Sequence, residues 1–379
     1  MVEHTALASR MAAALKSDQH FAILGSREIG KTSFMSTLSR ALAYDTEDGP
    51  YKTLVINLKR AISMSALISC IREALEDAAD PELARLGRQS VEAVEREFNI
   101  NLKVFGYRQT SLAHPAPEEE VLNSLLKRIR QSKLQLVIIL DEFQRLAKCS
   151  GDPVLIIDSA LMGTNSSVKV VFSGSIRHAL ELMLEDTNSP TFGRVEKVEL
   201  PRITRSEFFD FIQTKFQATN RLISASTIEH LLDLTKCHPK RTQQLAGKVW
   251  EMLSEKEEAS IRILDTTLTE ILNSDAAKFE SMLDMLSPEK PGERYALGML
   301  VLLAIHNGEP PKFTKELLEE YGLVQHNNTI LAFSVLESKG LIHTDAQNRR
   351  MISDPFFTYW LQSYYSFSVS RKQLLPSED

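Results

Sequence analysis

The residues whose types and spacing could do chemistry begin with Gly25-x-x-x-x-Gly30-Lys31-Thr32, the P-loop pattern. Each part has a mechanical reason. Gly25 allows a sharp turn out of the preceding strand. Gly30 has no Cβ and lets backbone approach a phosphate. The N–H groups of Gly25, Ser26, Arg27, Glu28, Ile29 and Gly30 and the following helix N-terminus, with Ser33 in it, make an anion cradle. Lys31 would reach the β- and γ-phosphates, and the Thr32 hydroxyl would ligate Mg²⁺. The pattern requires a strand before it and a helix after it. Phe21, Ile23 and Leu24 supply the strand; Phe34, Met35, Leu38 and Leu42 recur at helical spacing after the loop.

A second group of candidates ends the apolar run Leu134 to Leu140 with Asp141 and Glu142. A continuous apolar run that ends in two carboxylates is a buried parallel strand delivering acids to its C-terminal edge. This is the Walker B pattern, with Asp141 as a metal ligand through water and Glu142 as the general base that orients and deprotonates an attacking water. The run 168–173 is another buried strand, closed by Ser173-Gly174-Ser175. Ser173 or Ser175 could present a hydroxyl to the γ-phosphate or the lytic water, or the triplet could simply cap the strand.

These residues need a scaffold, and five strands are predicted near 20–25, 52–58, 134–141, 168–173 and 195–200. The expected class is α/β, a P-loop NTPase with an added strand, a catalytic glutamate and a five-stranded parallel sheet. A short helix is predicted over 6–15, helices over 63–98 broken at Pro81, and a helix over 118–131; the alternating stretch 99–107 reads as a small strand or hairpin. After Pro201 the pattern turns helical and locally basic, which predicts a helical lid over 202–287. Three helices and a two-stranded wing are predicted over 288–379, a winged helix-turn-helix. The domain division is therefore 1–201, 202–287 and 288–379. That last segment holds nine Lys/Arg against eleven Asp/Glu, the wrong balance for groove binding, which favours a protein partner over DNA. The dense aromatic cluster from Phe356 to Trp360 is read as core that fixes the last helix.

The bulk numbers agree with a soluble enzyme or switch. The chain has 379 residues, 43% hydrophobic and 25% charged, with a net charge of −6, so it is no nucleic-acid polycation. Three separated cysteines fit neither a disulfide framework nor a zinc site. With no signal sequence and no apolar run long enough for a membrane span, a cytoplasmic location and no membrane partner are expected.

Taken together, Gly25 to Ser33, Asp141-Glu-Phe-Gln144, Phe172-Ser-Gly-Ser175, Phe192-Gly-Arg194 and Cys237-His-Pro239 occur in an order that resembles the prokaryotic "archaeal ATPase" family, between the AAA+ and STAND branches and related to origin-recognition initiators. The resemblance spans about residues 20–365. It implies ATP as the nucleotide with Mg²⁺, and Ser175 as a first sensor. It implies that Arg194 is an arginine finger acting within the chain or across an interface, that His238 reads the nucleotide state from the lid, and that Arg241 serves as a second sensor. The expected function is an ATP-hydrolysing switch that changes its contacts with a protein partner; a DNA-binding ATPase in replication, transposition or defence is the alternative. Homo-oligomerisation is left open.

Overall fold

In a computed structural model of the chain, the described residues are 4–17, 19–25, 29–44, 50–103, 117–163, 167–175, 177–185, 191–321, 323, 326–344 and 349–368. They divide into two compact units, one built from residues up to Pro201 except Ile29, and the other from Arg202 onward together with Ile29.

In the first unit, helix α1 (Thr5–Lys16) precedes β1 (His20–Leu24), and the P-loop leads into α2 (Lys31–Ala43). Next come β2 (Lys52–Asn57), α3 (Met64–Glu76) and α4 (Pro81–Phe98). The break at Pro81 is a helix start: Asp80 caps the N–H groups of Glu82 and Leu83, and Pro81 takes the first helical position, where no donor is lost. Then follow α5 (Glu118–Gln131), β3 (Leu136–Asp141), a 3₁₀ turn (Phe143–Lys148), α6 (Pro153–Leu161), β4 (Val168–Ser173), α7 (Arg177–Glu185) and β5 (Val195–Glu199). The five strands form one parallel sheet in the order β2-β3-β4-β1-β5. Burial explains the order. Every residue of β1 and β4 is buried, as is β3 up to its last residue, so these are the middle strands; β2 and β5 alternate and sit at the edges. β4 is the added strand, between the P-loop strand β1 and the Asp-Glu strand β3.

The stretch 99–103 is not the strand that its alternation suggests. Asn99 closes α4 in the left-handed conformation, and the apolar Leu102 is fully buried in the core of this unit. Burial under a helix end produced the apolar spacing. Residues 104–107 lie outside the described residues.

The second unit holds α8 (Arg205–Gln217), β6 (Leu222–Ile223), α9 (Ala225–Thr235), α10 (Pro239–Met252), β7 (Glu258–Ala259), α11 (Ile261–Ser274) and α12 (Ala276–Leu283). It continues with α13 (Pro291–Ile305), α14 (Lys315–Glu320), α15 (His326–Ser338), the antiparallel pair β8 (Ile342–Thr344) and β9 (Arg350–Ile352), and α16 (Pro355–Ser368). One hydrophobic core runs from Phe208 to Leu361, so segments expected as separate lid and wing domains share a single interior. Phe356, Phe357, Trp360 and Leu361 of α16 lie in that core, and Phe357 stacks with Trp360.

A fully buried guanidinium lies in this unit. Arg241 of α10 donates from Nε to Asp354 Oδ1 at 2.8 Å, from Nη2 to Asp354 Oδ2, and from Nη1 to Asp275 Oδ2 at 2.6 Å and Gln244 Oε1 at 2.6 Å. Phe356 and Phe279 stack over it. Burial works against the Asp354 charge, but the hydrogen bonds and charge of Arg241 outweigh it and hold the carboxyl below its usual range. The folded state therefore binds the proton less tightly than the unfolded chain. That stability is present above the ordinary aspartate range near ~4 and is lost as pH falls through and below it. Arg241→Met is expected to cost about 3–5 kcal/mol by leaving two carboxylates without their cation. Thermal melts of the two proteins at pH 7 would check the size, and a melt series from pH 6 to pH 3 would check the sign. Among the described residues no helix is long and apolar enough to cross a membrane.

Candidate nucleotide site

Because the sheet is parallel, the C-terminal ends of its strands share one edge. Leu24 ends β1 there, Asn57 ends β2, Asp141 ends β3 and Ser173 ends β4, with Asn57 in register with Asp141. Gly30 opens α2 with φ +104°, a left-handed geometry that L side chains rarely adopt. A Cβ there would meet no atom within 4 Å. Within the protein, then, glycine is required at position 30 by conformation and not by space. Ser26, Arg27 and Glu28 lie outside the described residues; Ile29 is buried.

Lys31 is buried to 7% exposure, and its Nζ donates to the Gly25 carbonyl at 2.7 Å. A cation held against the loop that precedes it is positioned where a phosphate would sit. Thr32, the next residue of α2, is exposed, and Ser33 is half-buried.

The two carboxylates have one serine each. Ser173 Oγ donates to Asp141 Oδ1 at 3.1 Å, and the Glu142 N–H donates to the same oxygen at 3.1 Å. Burial pushes the Asp141 carboxyl up, with the neighbouring Glu142 charge adding to it; the Ser173 bond and the Lys31 charge act in the opposite direction. Asp141 is thus an acid under strain from burial, which a cation would relieve. Glu142 sits in the left-handed region (φ +61°, ψ +37°), which turns its side chain out of the strand direction and starts the 3₁₀ turn, where the Arg145 N–H donates to the Glu142 carbonyl at 2.9 Å. Its Oε2 accepts from Ser175 Oγ at 2.7 Å and from Gln144 Nε2 at 2.6 Å. Phe143 and Phe172 meet edge to face beneath, with centroids 4.6 Å apart.

Of the two serines left open by the sequence, each has its own acid: Ser173 bonds Asp141 and Ser175 bonds Glu142. Gln144 and Gly174 are additions that sequence reasoning quoted without a role. Gln144 is buried and holds Glu142, and a Cβ on Gly174 would run into Gln144 Oε1. The signal was the two-residue spacing from Glu142 to Gln144, which a 3₁₀ turn folds back on itself.

Two expectations change. Arg194 precedes β5, whose first residue pairs with His20 at the start of β1. It therefore marks the N-terminal edge of the sheet, about 16 Å of strand away from the phosphate edge at ~3.3 Å per residue. There it donates to Asp158 Oδ1 at 2.6 Å and to the Met162 carbonyl. It does not reach the chain's own γ-phosphate. Arg241 belongs to the second unit, fully buried with its donors taken by Asp354, Asp275 and Gln244, so it is a structural cation and not a phosphate sensor. His238 caps α10, its Nδ1 accepting from the Arg241 N–H at 3.4 Å. Lys236 and Cys237 before it are both left-handed, which forms the tight connection between α9 and α10.

Among the described residues no group of three His, Cys, Asp or Glu could hold a metal alone. Mg²⁺ takes most of its oxygens from water and phosphate and only one or two from protein; the Thr32 hydroxyl and the Asp141 carboxylate are donors of that kind.

No family model matches the chain, and no curated protein matches it. Solved structures do. A Walker-type ATPase of Pyrococcus abyssi superposes with a TM-score of 0.62 at 18% identity, covering 94% of each chain. The chain has the fold of these P-loop ATPases. The ORC2 protein of Aeropyrum pernix, in ADPNP–ADP complexes, gives 0.54 at 14% identity over 96% of this chain and 94% of that one. The Aeropyrum pernix ORC1 protein in complex with DNA gives 0.50 at 16% over 96% and 93%. The neighbours are thus the archaeal and origin-recognition group that the sequence motifs resemble.

If conformation alone demands glycine at position 30, Gly30→Ala is expected to destabilise the first unit by about 1–2 kcal/mol without any ligand present. Chemical denaturation of the nucleotide-free protein would measure this.

Proposed function

We propose that the chain binds ATP with Mg²⁺ at the edge formed by β1, β3 and β4 and hydrolyses it, and that the nucleotide state changes its contacts with a protein partner. One observation carries the hydrolytic part: Lys31 and the Asp141–Glu142 pair stand on the same sheet edge, and each carboxylate has its own serine donor. Lys31 exchanges the Gly25 carbonyl for phosphate oxygens. Glu142 exchanges Ser175 and Gln144 for a water and takes its proton as the water oxygen bonds to the γ-phosphorus. The bond to the bridging oxygen then breaks, and the leaving diphosphate carries the charge. Mg²⁺, if bound, would supply charge neutralisation, and Thr32 and Asp141 are the residues that would hold it.

The partner reading rests on the second unit. The solvent face of α15 carries Asn327, Ile330, Leu331, Ser334 and Ser338, and no cation. Ile330 is 54% exposed and Leu331 43%. The hairpin arginines are occupied, Arg349 with Glu309 and Arg350 with Glu337. An uncharged, partly apolar helix face with its flanking arginines neutralised suits a protein surface better than a phosphate backbone. The similarity to a DNA-bound ORC1 concerns the fold and adds no cation to this face.

Lys31→Ala is expected to abolish ATP binding. Glu142→Gln is expected to keep binding and lose hydrolysis by about 10²-fold or more. Calorimetric titration and phosphate-release assays check the two; unchanged ATP affinity in Lys31→Ala would refute the site. Anisotropy with labelled duplex across a salt series should show no salt-dependent binding, with or without ATP.

A further inference from the structure

Among the described residues the edge strand β2 has no neighbouring strand on its outer side. Its register with β3, and the bond from the Lys52 N–H to the Gln135 carbonyl, turn the backbone groups of residues 52, 54 and 56 toward β3. Those of Thr53, Val55 and Asn57 therefore face outward. Among the described residues nothing pairs with them. They line a groove of about 910 Å³ between the ends of α2 and the Cys70–Asp77 face of α3. Val55, in the middle of the strand, is 44% exposed. An apolar edge with free donors and acceptors is a template for another strand.

We infer that the occupant is β2 of a second copy of this chain, running antiparallel, so that the two sheets join edge to edge about a two-fold axis through Val55. Two observations fit one register. With Val55 opposite Val55 of the other copy, Thr53 faces Asn57 and Asn57 faces Thr53. These are the three residues whose backbone groups point outward, so each opposed pair exchanges both hydrogen bonds. The ends of the groove also differ in charge. At the start of β2, Asp77, Asp80 and Glu82 stand against Lys52, which bridges Asp80 and Glu82. Beyond its end, Lys59 and Arg60 stand against Glu73, the ion-pair partner of Arg60. Asp77 and Lys59 have no charged partner among the described residues. Antiparallel pairing places the acidic end of one copy beside the basic end of the other at both ends at once, as a two-fold contact requires.

The full chain at tens of micromolar is expected to be a dimer by sedimentation velocity. Val55→Lys, which sets two ammonium groups on the axis, is expected to be a monomer with an unchanged far-ultraviolet circular dichroism spectrum. Asp77→Lys, on the exposed surface, should weaken the dimer by about tenfold or more, and adding Lys59→Glu to it should restore the wild-type constant. Val55→Cys should give a disulfide-linked dimer on mild oxidation, with the link mapped between the two copies of position 55 by peptide mass spectrometry. A monomeric wild-type chain, a dimer indifferent to Val55→Lys and Asp77→Lys, or a cross-link elsewhere would overturn the proposal. So would a monomer that captures an extended peptide on this edge. None of these measurements involves nucleotide, so they stand or fall apart from the ATPase reading.

Discussion

A parallel sheet brings the ends of all its strands to one edge, and the chemistry of this chain is arranged along that edge. The constraint is strict because β1, β3 and β4 are buried almost throughout. The interior of such a strand is mostly apolar, and its polar side chains gather towards its ends. Lys31 follows one end, Asp141 and Glu142 form another, and Ser173 and Ser175 form the third. The order β3-β4-β1 then places the serines between the carboxylates and the lysine. The position of each group thus follows from burial of the strand that carries it.

Burial also sets the electrostatics. Asp141 is held where its charge is unfavourable, and Ser173 and Lys31 only partly compensate. Arg241 is the contrasting case, more deeply buried but matched by two carboxylates and two aromatic faces. One site is left short of positive charge, while the other is balanced. That difference separates a place where a cation can be received from a place where the fold is fixed, although both began as polar residues in apolar surroundings.

Much of this was legible in the residues. All five strands were legible to within one or two residues, and the runs closed by Gly, Asp-Glu or Ser-Gly-Ser were the clearest, because a strand buried on both faces, as β1, β3 and β4 are, has little freedom in composition. Asp141 and Glu142 were legible for the same reason. Arg241 and the within-chain reading of Arg194 were not. A basic residue beside a motif looks alike whether it faces a phosphate or an internal carboxylate, and only the pairing of β5 with β1 and the distant Asp354 decide between them. Over 99–103 the expected strand failed on similar grounds: Leu102 is apolar because it is buried in the core of the first unit. Gln144 needed the left-handed turn at Glu142, which no residue type announces.

Arg241 and Asp354 stand 113 positions apart in the chain. A nascent chain emerges from its first residue onward, so α10 is made long before its countercharge exists. The first unit, whose strands and helices all precede Pro201, can close its core while the rest is still being made. The second cannot: its interior waits for Asp354 and the aromatic side chains of α16, nearly the last residues of the core to appear. The order of synthesis thus completes the unit that carries the P-loop first and the unit built around Arg241 last.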